Sequence, residues 1–258
     1  MHLLLLFAWA ALRSWAYRPG EDGTYAQNYQ DLWITKLAER NGWRNGYYMD
    51  IGAFDGLKCS NTAKLDLEAG WQGLCVEPRP SSLAFATRNC TLVTRRPVGA
   101  RSGDQVRFFG EVGTQLQHIG KQPHIDRTSD EGEWLESISP SDLLHCCRRP
   151  LAARTCRGLP QECHLPEAFL HFLSIDAEGW DLEVLQGFPF DNLTVGALVV
   201  ETSTRHEPVT RFLAARGYRR VPVQNAGVDS YYVHASTHYS NDLNAKPWRQ
   251  HPPLSGGC

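Results

Sequence analysis

The chain has 258 residues, 42% of them hydrophobic and 21% charged, and a formal net charge of −2 at pH 7. This length and composition predict one globular domain and exclude disordered, collagen-like and coiled-coil chains. Because there is no surplus of basic residues, neither nucleic acid nor an anionic membrane surface is an expected partner. Eight cysteines are many for a cytosolic enzyme and few for a disulfide scaffold.

The N-terminus carries an apolar run over residues 3–12. Ten apolar residues are about half of the ~20 that a membrane-spanning helix needs. We therefore predict a signal peptide over residues 1–16, with Ser14 and Ala16 as the small residues before the cleavage point. An uncleaved anchor and a truncated or cytosolic N-terminus remain alternatives, since no Lys or Arg precedes the run and Arg13 follows it. No other stretch is long and apolar enough to cross a membrane.

Two glycosylation sequons, at Asn89 and Asn192, point with the cysteines to the secretory pathway, either the endoplasmic reticulum or Golgi lumen or secretion. Four cysteines fall within a polar crossover or insertion at about residues 110–164; these are Cys146, Cys147, Cys156 and Cys163. We predict at least one disulfide there, from Cys146 or Cys147 to Cys156 or Cys163. By contrast, Cys75 is predicted to be a small buried apolar side chain.

Short β-prone runs alternate with helical patterns through the rest of the chain. Helices are predicted to begin near Asn28, Ser60, Ser81 or Ser82, Ser139, Asp181 and Pro208. Strands are predicted at residues 47–51, 74–76, 92–95, 106–109, 172–175, 197–200, 218–223 and 230–233. This alternation predicts an α/β fold, with a mostly parallel sheet covered by helices on both faces and a closing antiparallel pair. The domain would span residues 27–235, after a lead-in at 17–26 and before a surface or disordered tail at 236–258.

The segment YYMDIGAFDG places Asp50, Gly52 and Gly56 where a predicted strand ends. Glycines there allow a tight turn and a close ligand approach, and parallel sheets bind ligands at the carboxyl ends of their strands. A pyrophosphate site would need three glycines. Here an acid replaces the first, which favours a ligand with a cationic amino-acid part, such as S-adenosylmethionine, over a dinucleotide. An ordinary strand-to-turn junction is the alternative interpretation.

Three more acids follow predicted strands. Glu77 closes the next strand, where a carboxylate can accept both hydrogen bonds of a ribose diol. Asp176 and Glu178 follow the strand at 172–175 and, being two residues apart, would share one face of a continuing strand. Paired acids can act as a base, hold a metal or orient a substrate hydroxyl. They can also simply cap the following helix.

Taken together, several segments resemble the FkbM-type methyltransferases, a family of S-adenosylmethionine-dependent enzymes. The matching segments occur in the family's order over about residues 27–233; they are AQNYQDLW, YYMDIGAFDGLKCSNT, GWQGLCVEP, PVGARSGD with VRFF, FLSIDAEGWDLEVLQGF and LVVET. The resemblance implies a class I methyltransferase (Rossmann-like) fold, with a seven-stranded sheet whose last strand is antiparallel. It also implies methyl transfer from S-adenosylmethionine, usually to a hydroxyl on a sugar or small molecule.

The resemblance further implies roles for individual residues. The cofactor's methionine and ribose part would contact Asp50, Gly52, Ala53 and Gly56, while Glu77 would bind the ribose hydroxyls and Val98 would lie near the adenine. Asp176 would sit where the methyl group meets the substrate, with Glu178 beside it as the second catalytic candidate. Asn61, Gln27 and Gln30 match the family pattern, and we expect them to pin the loop over the cofactor.

The chain departs from the family at the end of the fifth strand, where Glu201-Thr202-Ser203 replaces an EHN-like sequence. His206 is nearby and is a distant third candidate for the base. No His/Cys cluster has zinc spacing, so no metal site is predicted, although a divalent metal could assist deprotonation. Two further alternatives are a non-catalytic binding or trafficking module of the same fold and a nucleotide-dependent oxidoreductase.

Overall fold

The computed structural model describes residues 23–80, 83–109, 118–119, 132–148, 168–203, 206–223 and 226–244. The predicted signal peptide at residues 1–16 and most of the cysteine-bearing crossover lie outside these ranges. Within them, no helix combines the length and apolar character needed to cross a membrane.

The helices and strands alternate along most of the chain. The helices are α1 (Gln30–Asn41), α2 (Ala63–Leu67), α3 (Pro140–Arg148), α4 (Asp181–Gln186) and α5 (His206–Ala214), with 3₁₀ turns at Leu83–Thr87 and Asn241–Asn244. The strands are β1 (Tyr47–Ile51), β2 (Gln72–Val76), β3 (Cys90–Val93), β4 (Gln105–Phe109), β5 (His118–Ile119), β6 (Glu133–Glu136), β7 (Phe169–Ile175), β8 (Thr194–Glu201), β9 (Tyr218–Val221) and β10 (Asp229–His234).

The main sheet has seven strands in the order β3-β2-β1-β7-β8-β10-β9. Its strands pair in parallel except β10, which runs antiparallel to both β8 and β9. The predicted α/β fold with a mostly parallel sheet and an antiparallel end is therefore confirmed. Because β1, β2, β7 and β8 point the same way, their carboxyl ends meet at one edge, where ligands bind in open parallel sheets.

Helices cover the sheet on both faces, because successive strand residues point to opposite sides. In β1, Met49 belongs to the apolar cluster that also contains Val184 of α4 and Leu213 of α5. Its neighbour Tyr48 belongs to the opposite cluster, together with Trp33 of α1. Both faces of β1 are thus buried, and the strand holds a rigid central position in the sheet.

Polar side chains define two helix starts that the sequence indicated. The Ser60 hydroxyl accepts hydrogen bonds from the backbone N–H groups of Thr62 (3.2 Å) and Ala63 (3.0 Å), so α2 begins slightly later than predicted. The Ser139 hydroxyl accepts the N–H of Asp142 at 3.1 Å and caps α3. Such caps satisfy N–H groups that have no partner inside the helix.

A second, three-stranded antiparallel sheet, in the order β5-β4-β6, was only partly predicted. The sequence indicated β4 but neither β5 nor β6. In the short strand β6, Leu135 is buried while Trp134 is 63% exposed. One buried side chain gives too weak an alternation for a sequence-based prediction. The inner face of this sheet packs Phe108 and Leu135 against Trp180.

The start of the predicted tail is packed against the domain. The Thr237 hydroxyl donates a hydrogen bond to the carbonyl of Gly196 at 2.9 Å, and Leu243 is buried. Asp242 forms an ion pair with Arg40 of α1. The domain therefore continues past the predicted boundary at residue 235, and the tail's surface-wrapping part extends at least to Asn244.

The prediction for Cys75 was wrong about its bonding. Cys75 is fully buried, as predicted, but it forms a disulfide with Cys90. The cause is the register of β2 and β3, which pairs Gly73 with Cys90 and so places Cys90 diagonally opposite Cys75. Cys59 and Cys146 are also disulfide-bonded, whereas the predicted partners Cys156 and Cys163 lie outside the described residues.

Candidate functional site

A cavity of about 340 Å³ opens at the carboxyl edge of the parallel strands. Eight of the nine predicted site residues line it; they are Asp50, Gly52, Ala53, Asn61, Glu77, Val98, Asp176 and Glu178. They come from segments scattered over much of the chain, and the strand order brings them together. The cavity is thus the candidate functional site.

Gly52 allows the turns after β1 and β7 to touch. Its backbone has φ +84°, and a Cβ atom built at this position would lie 1.8 Å from the carbonyl oxygen of Asp176. The neighbouring Asp176 N–H donates to the carbonyl of Ile51 at 2.9 Å. Only glycine fits such a close approach at positive φ, so Gly52 fixes the position of Asp176 relative to β1.

Gly56 is the one predicted site residue that does not line the cavity. A Cβ atom there would lie 2.9 Å from the ring of Phe85, at φ +88°. Its carbonyl accepts a hydrogen bond from the guanidinium of Arg88. Gly56 therefore shapes the loop beside the cavity without lining it.

Asp50 and Asn61 form the floor of the cavity. Asp50 is buried and accepts a hydrogen bond from the Thr62 hydroxyl at 2.6 Å. Desolvation by burial raises the pKa of Asp50, although the Thr62 bond opposes the rise. The Asn61 amide donates to the Ser174 hydroxyl of β7 at 3.0 Å, which connects the loop after β1 to the neighbouring strand.

Glu77 follows β2, and backbone hydrogen bonds fix its carboxylate. One oxygen accepts the N–H of Phe54 and the other accepts the N–H of Arg79, each at 3.0 Å. Burial outweighs these bonds and raises the pKa of Glu77 to about 7. Since a carboxylate oxygen has two lone pairs, each oxygen can still accept a further hydrogen bond from a ligand.

Asp176 and Glu178 reach the cavity from a turn, not from a continuing strand as predicted, because β7 ends at Ile175. Glu178 has φ +50° and Gly179 has φ +93°. The carboxylate of Asp181 holds this turn by accepting the N–H groups of Ala177 (3.0 Å) and Gly179 (3.2 Å). Asp181 thus fixes the turn that precedes α4, and among the described residues no side-chain hydrogen bond caps this helix at Trp180.

The carboxyl of Asp176 remains open to the cavity. Surrounding protein atoms nevertheless desolvate it, and this effect, followed by the charges of Glu201 and Glu178, raises its pKa well above 3.8. The pKa of Glu178 rises to about 8, first through desolvation and then through the charges of Glu201 and Asp181. Glu178 therefore has a pKa in the range where an acid can exchange protons near neutral pH.

Two further acids of the cavity, Glu201 and Asp229, were not predicted as site residues. Glu201 ends β8, so its position at a strand's carboxyl end could have identified it. Asp229 begins β10, and it reaches the same edge only because β10 runs antiparallel to β8. Desolvation raises the pKa of Asp229 to about 6. Because Asp229 lies at the start of its strand, no local sequence signal marks it as part of this site.

Gln30 links the N-terminal segment to Asp229. Its amide donates to the Asp229 carboxylate at 2.6 Å, and its carbonyl oxygen accepts the N–H of Asn28 at 2.8 Å. Gln27 lines the cavity beside it. Gln30 thus joins the N-terminal segment to the start of β10.

Among the described residues, the charged side chains that line the cavity are all acidic. Of the described residues, six acids line the cavity and no Lys, Arg or His does. His206 begins α5 and is exposed outside the lining. Such a lining disfavours a pyrophosphate group and favours a ligand with positive charge. Within the described ranges, no group of three or more His, Cys, Asp or Glu side chains could hold a metal ion.

No protein-family model, curated protein or solved structure matches this chain.

Proposed function

We propose that the chain is an S-adenosylmethionine-dependent methyltransferase that methylates a hydroxyl group on a glycan or small molecule. The carrying observation is the convergence of eight predicted site residues on one acid-lined cavity. The proposal is also supported by the seven-stranded sheet whose last strand is antiparallel, which is the class I arrangement that the resemblance implies.

The lining fits this cofactor chemically. The acids Asp50 and Glu77 suit its ammonium group and ribose diol, respectively, and Glu77 retains lone pairs for the diol. Val98, Pro97 and Phe108 line another part of the cavity and offer the apolar surface that an adenine ring needs. The bound cofactor would supply an electrophilic methyl group on a sulfonium.

Asp176 is the proposed general base. Its carboxylate lies open to the cavity and would take the proton of the acceptor hydroxyl as that oxygen attacks the methyl carbon. Glu178 lines the cavity two residues further along the chain and is the second candidate. The remaining contribution of the protein is to hold the two reactants in line, which accounts for much of the rate gain in such displacements.

Binding of S-adenosylmethionine to the folded chain, measured by isothermal titration calorimetry, tests the proposal. We expect binding by the wild type, and by Asp176→Asn with an affinity within tenfold, because that side chain acts on the acceptor. The same variant should lower methyl transfer by about 10²–10⁴-fold, the usual contribution of a general base. Absence of cofactor binding to soluble, folded protein would reject the proposal.

A non-catalytic binding or trafficking module of the same fold is a second candidate. It is favoured by the desolvation of Asp176, which raises the pKa of this carboxyl and so opposes its action as a base. The two candidates differ in one result: a module would keep its cellular function when Asp50 and Asp176 are both replaced by Ala, whereas an enzyme would lose it.

We also propose that the chain works in the secretory pathway. The Cys75–Cys90 disulfide and the bonded state of Cys59 and Cys146 support an oxidising compartment. Immunofluorescence of the full chain with lumenal markers tests this location, and purely cytosolic staining would reject it.

A further inference from the structure

The two glycosylation sequons occupy equivalent positions in the main sheet. Asn89 lies directly before β3, and Asn192 lies two residues before β8. Both asparagines therefore stand at the amino ends of parallel strands, whereas the cavity opens at the carboxyl ends. Both are also exposed. Position in the sheet does not distinguish the two sequons, but their local contacts do.

Asn192 lies in a tight turn between α4 and β8. Its backbone N–H donates to the carbonyl of Pro189 at 3.0 Å. The side chains of Phe188 and Leu193, on either side of the turn, are buried and anchor it in the core. The side-chain amide of Asn192 makes no hydrogen bond with any described residue. A sugar on this amide would thus extend into solvent without breaking a contact in the described part of the chain.

Asn89 is bound more closely to the structure around it. Its side-chain amide donates to the carbonyl of Trp71 at 3.4 Å, and its backbone N–H donates to the buried carboxylate of Asp66 at 3.0 Å. A sugar on this nitrogen would take one of the two amide N–H groups and crowd the bond to Trp71. The folded chain therefore tolerates a glycan less well at Asn89 than at Asn192.

The disulfide of β3 also competes with glycosylation of Asn89. A sequon is recognised through its asparagine and the hydroxyl residue two positions later, in a flexible chain. Cys90 lies between these two residues and is joined to Cys75, only 15 residues away. A loop this short closes readily, and the closed loop holds the sequon in place. The Asn192 sequon contains no cysteine.

A glycan at Asn192 would leave the cavity accessible. β8 begins at Thr194, and its last residue, Glu201, lines the cavity. The strand has eight residues, so at a rise of ~3.3 Å per residue its two ends are about 23 Å apart. A sugar that begins beyond the amino end therefore stays clear of a ligand bound at the carboxyl end.

We propose that Asn192 is an N-glycosylation site and that Asn89 remains unmodified. This inference rests on the proposed location in the secretory pathway and does not depend on methyl transfer. The sugar donor is an oligosaccharide linked to a lipid diphosphate. The Nδ2 atom of Asn192 forms a bond to the anomeric carbon of the sugar, and the bond from that carbon to the diphosphate oxygen breaks. The electron pair leaves with the diphosphate, and one amide proton is released.

The experiment follows the full chain in animal cells. Intact microsomes are treated with protease to show whether the chain is lumenal, and the chain is then treated with peptide-N-glycosidase F. We expect a protected chain whose electrophoretic mobility increases by the equivalent of one glycan. Because the glycosidase converts the asparagine that carried the sugar into aspartate, peptide mass mapping should find this conversion at Asn192 and not at Asn89.

Substitutions within the two sequons identify the acceptor. We expect Asn192→Gln and Thr194→Ala each to abolish the mobility shift, whereas Asn89→Gln should keep it in full. Thr194→Ser is the matched control, since serine also completes a sequon and should preserve the shift. The two Thr194 variants change the same half-buried side chain, which separates loss of the acceptor signal from an effect on folding.

The outcomes separate this inference from the location on which it rests. A chain that the protease digests in intact microsomes would reject the secretory location and the glycan with it. A protected chain without a glycan at Asn192, or with a glycan at Asn89, would overturn the glycosylation inference while the location stands. A failure to bind S-adenosylmethionine would reject the methyltransferase function and leave the result for Asn192 unaffected.

Discussion

At the residue scale, the cavity depends on one glycine. The Cα of Gly52 lies so close to the turn after β7 that an added methyl group would overlap the carbonyl oxygen of Asp176. The backbone positions of Asp50 and Asp176 are therefore fixed relative to each other by packing, and not by a flexible side-chain contact.

Replacing Gly52 by Ala should disrupt both the fold and cofactor binding. The control is Gly103→Ala, because Gly103 has almost the same φ (+86°) but no atom within 4 Å of an added Cβ. We expect Gly103→Ala to lower the free energy of unfolding by roughly 1–2 kcal/mol, the cost of positive φ alone. Gly52→Ala should lower it by at least about 3 kcal/mol, since it adds a backbone clash. Similar losses in urea denaturation would contradict this explanation.

The pH dependence of stability is also a residue-scale property. Because desolvation and the charge of Glu201 raise the pKa of Glu178 to about 8, the folded chain binds more protons than the unfolded chain between about pH 4.5 and pH 8. The contribution of Glu178 to stability is therefore present at low pH and is lost as the pH rises through this window.

We expect Glu178→Gln, which cannot ionise, to make the free energy of unfolding less dependent on pH. At pH 8 the variant should be more stable than the wild type by on the order of 1–2 kcal/mol, after allowance for solvent screening. Urea denaturation from pH 5 to pH 8.5 measures the two curves, with Glu39→Gln as the exposed control. Curves that stay parallel over this range would show that Glu178 does not titrate as argued.

At the element scale, one arginine joins the parts of the fold that support the cavity floor. Arg88 follows the 3₁₀ turn and forms a fully buried ion pair with Asp66 of α2 at 2.8 Å. It also donates to the Tyr48 hydroxyl of β1 at 3.0 Å and to the Thr62 hydroxyl at 2.9 Å. Since Thr62 in turn holds Asp50, Arg88 is a positioning residue for the site.

Arg88→Met should destabilise the chain by about 3–5 kcal/mol, because it leaves Asp66 buried without its counter-charge. The control is Arg101→Met, since Arg101 is 81% exposed and its partner Asp104 is 49% exposed. Loss of that surface pair should cost less than about 1 kcal/mol. Denaturation midpoints measure both changes, and comparable effects of the two substitutions would refute the role given to Arg88.

Elements with regular patterns were predictable from the sequence, and irregular ones were not. The limits of β1 and the start of α4 match the prediction, because each element has a clear apolar pattern and turn residues beside it. The sequence contained no signal for β5 or β6, which form by pairing with β4. The Cys75–Cys90 bridge likewise depends on a strand register that no local pattern specifies.

At the scale of the whole molecule, the same contrast between regular and irregular sequence patterns explains which acids of the cavity could be predicted. Acids that follow parallel strands could be predicted, because the fold class alone places those strand ends at one edge. Asp229 could not, because its place in the cavity requires knowing that β10 lies antiparallel between β8 and β9. The acids at the ends of parallel strands were thus more predictable than the acid that begins β10.

A ligand that binds only the folded cavity must stabilise the entire chain. At 100 times its Kd, S-adenosylmethionine should raise the free energy of unfolding by about 2.7 kcal/mol. NAD should have no such effect at the same concentration, since its pyrophosphate would face the acid lining. Thermal denaturation with each ligand measures the difference, and stabilisation by NAD alone would instead favour the oxidoreductase interpretation.

The central position of β1 also determines when the cavity can form during synthesis. Asp50 and Glu77 belong to the early part of the chain, but β1 meets β7 only after residues 169–175 have left the ribosome. Until then, one face of the cavity and one edge of β1 have no neighbour. The growing chain therefore carries an incomplete ligand site until β7 has emerged, and it cannot bind a ligand in this cavity before that point.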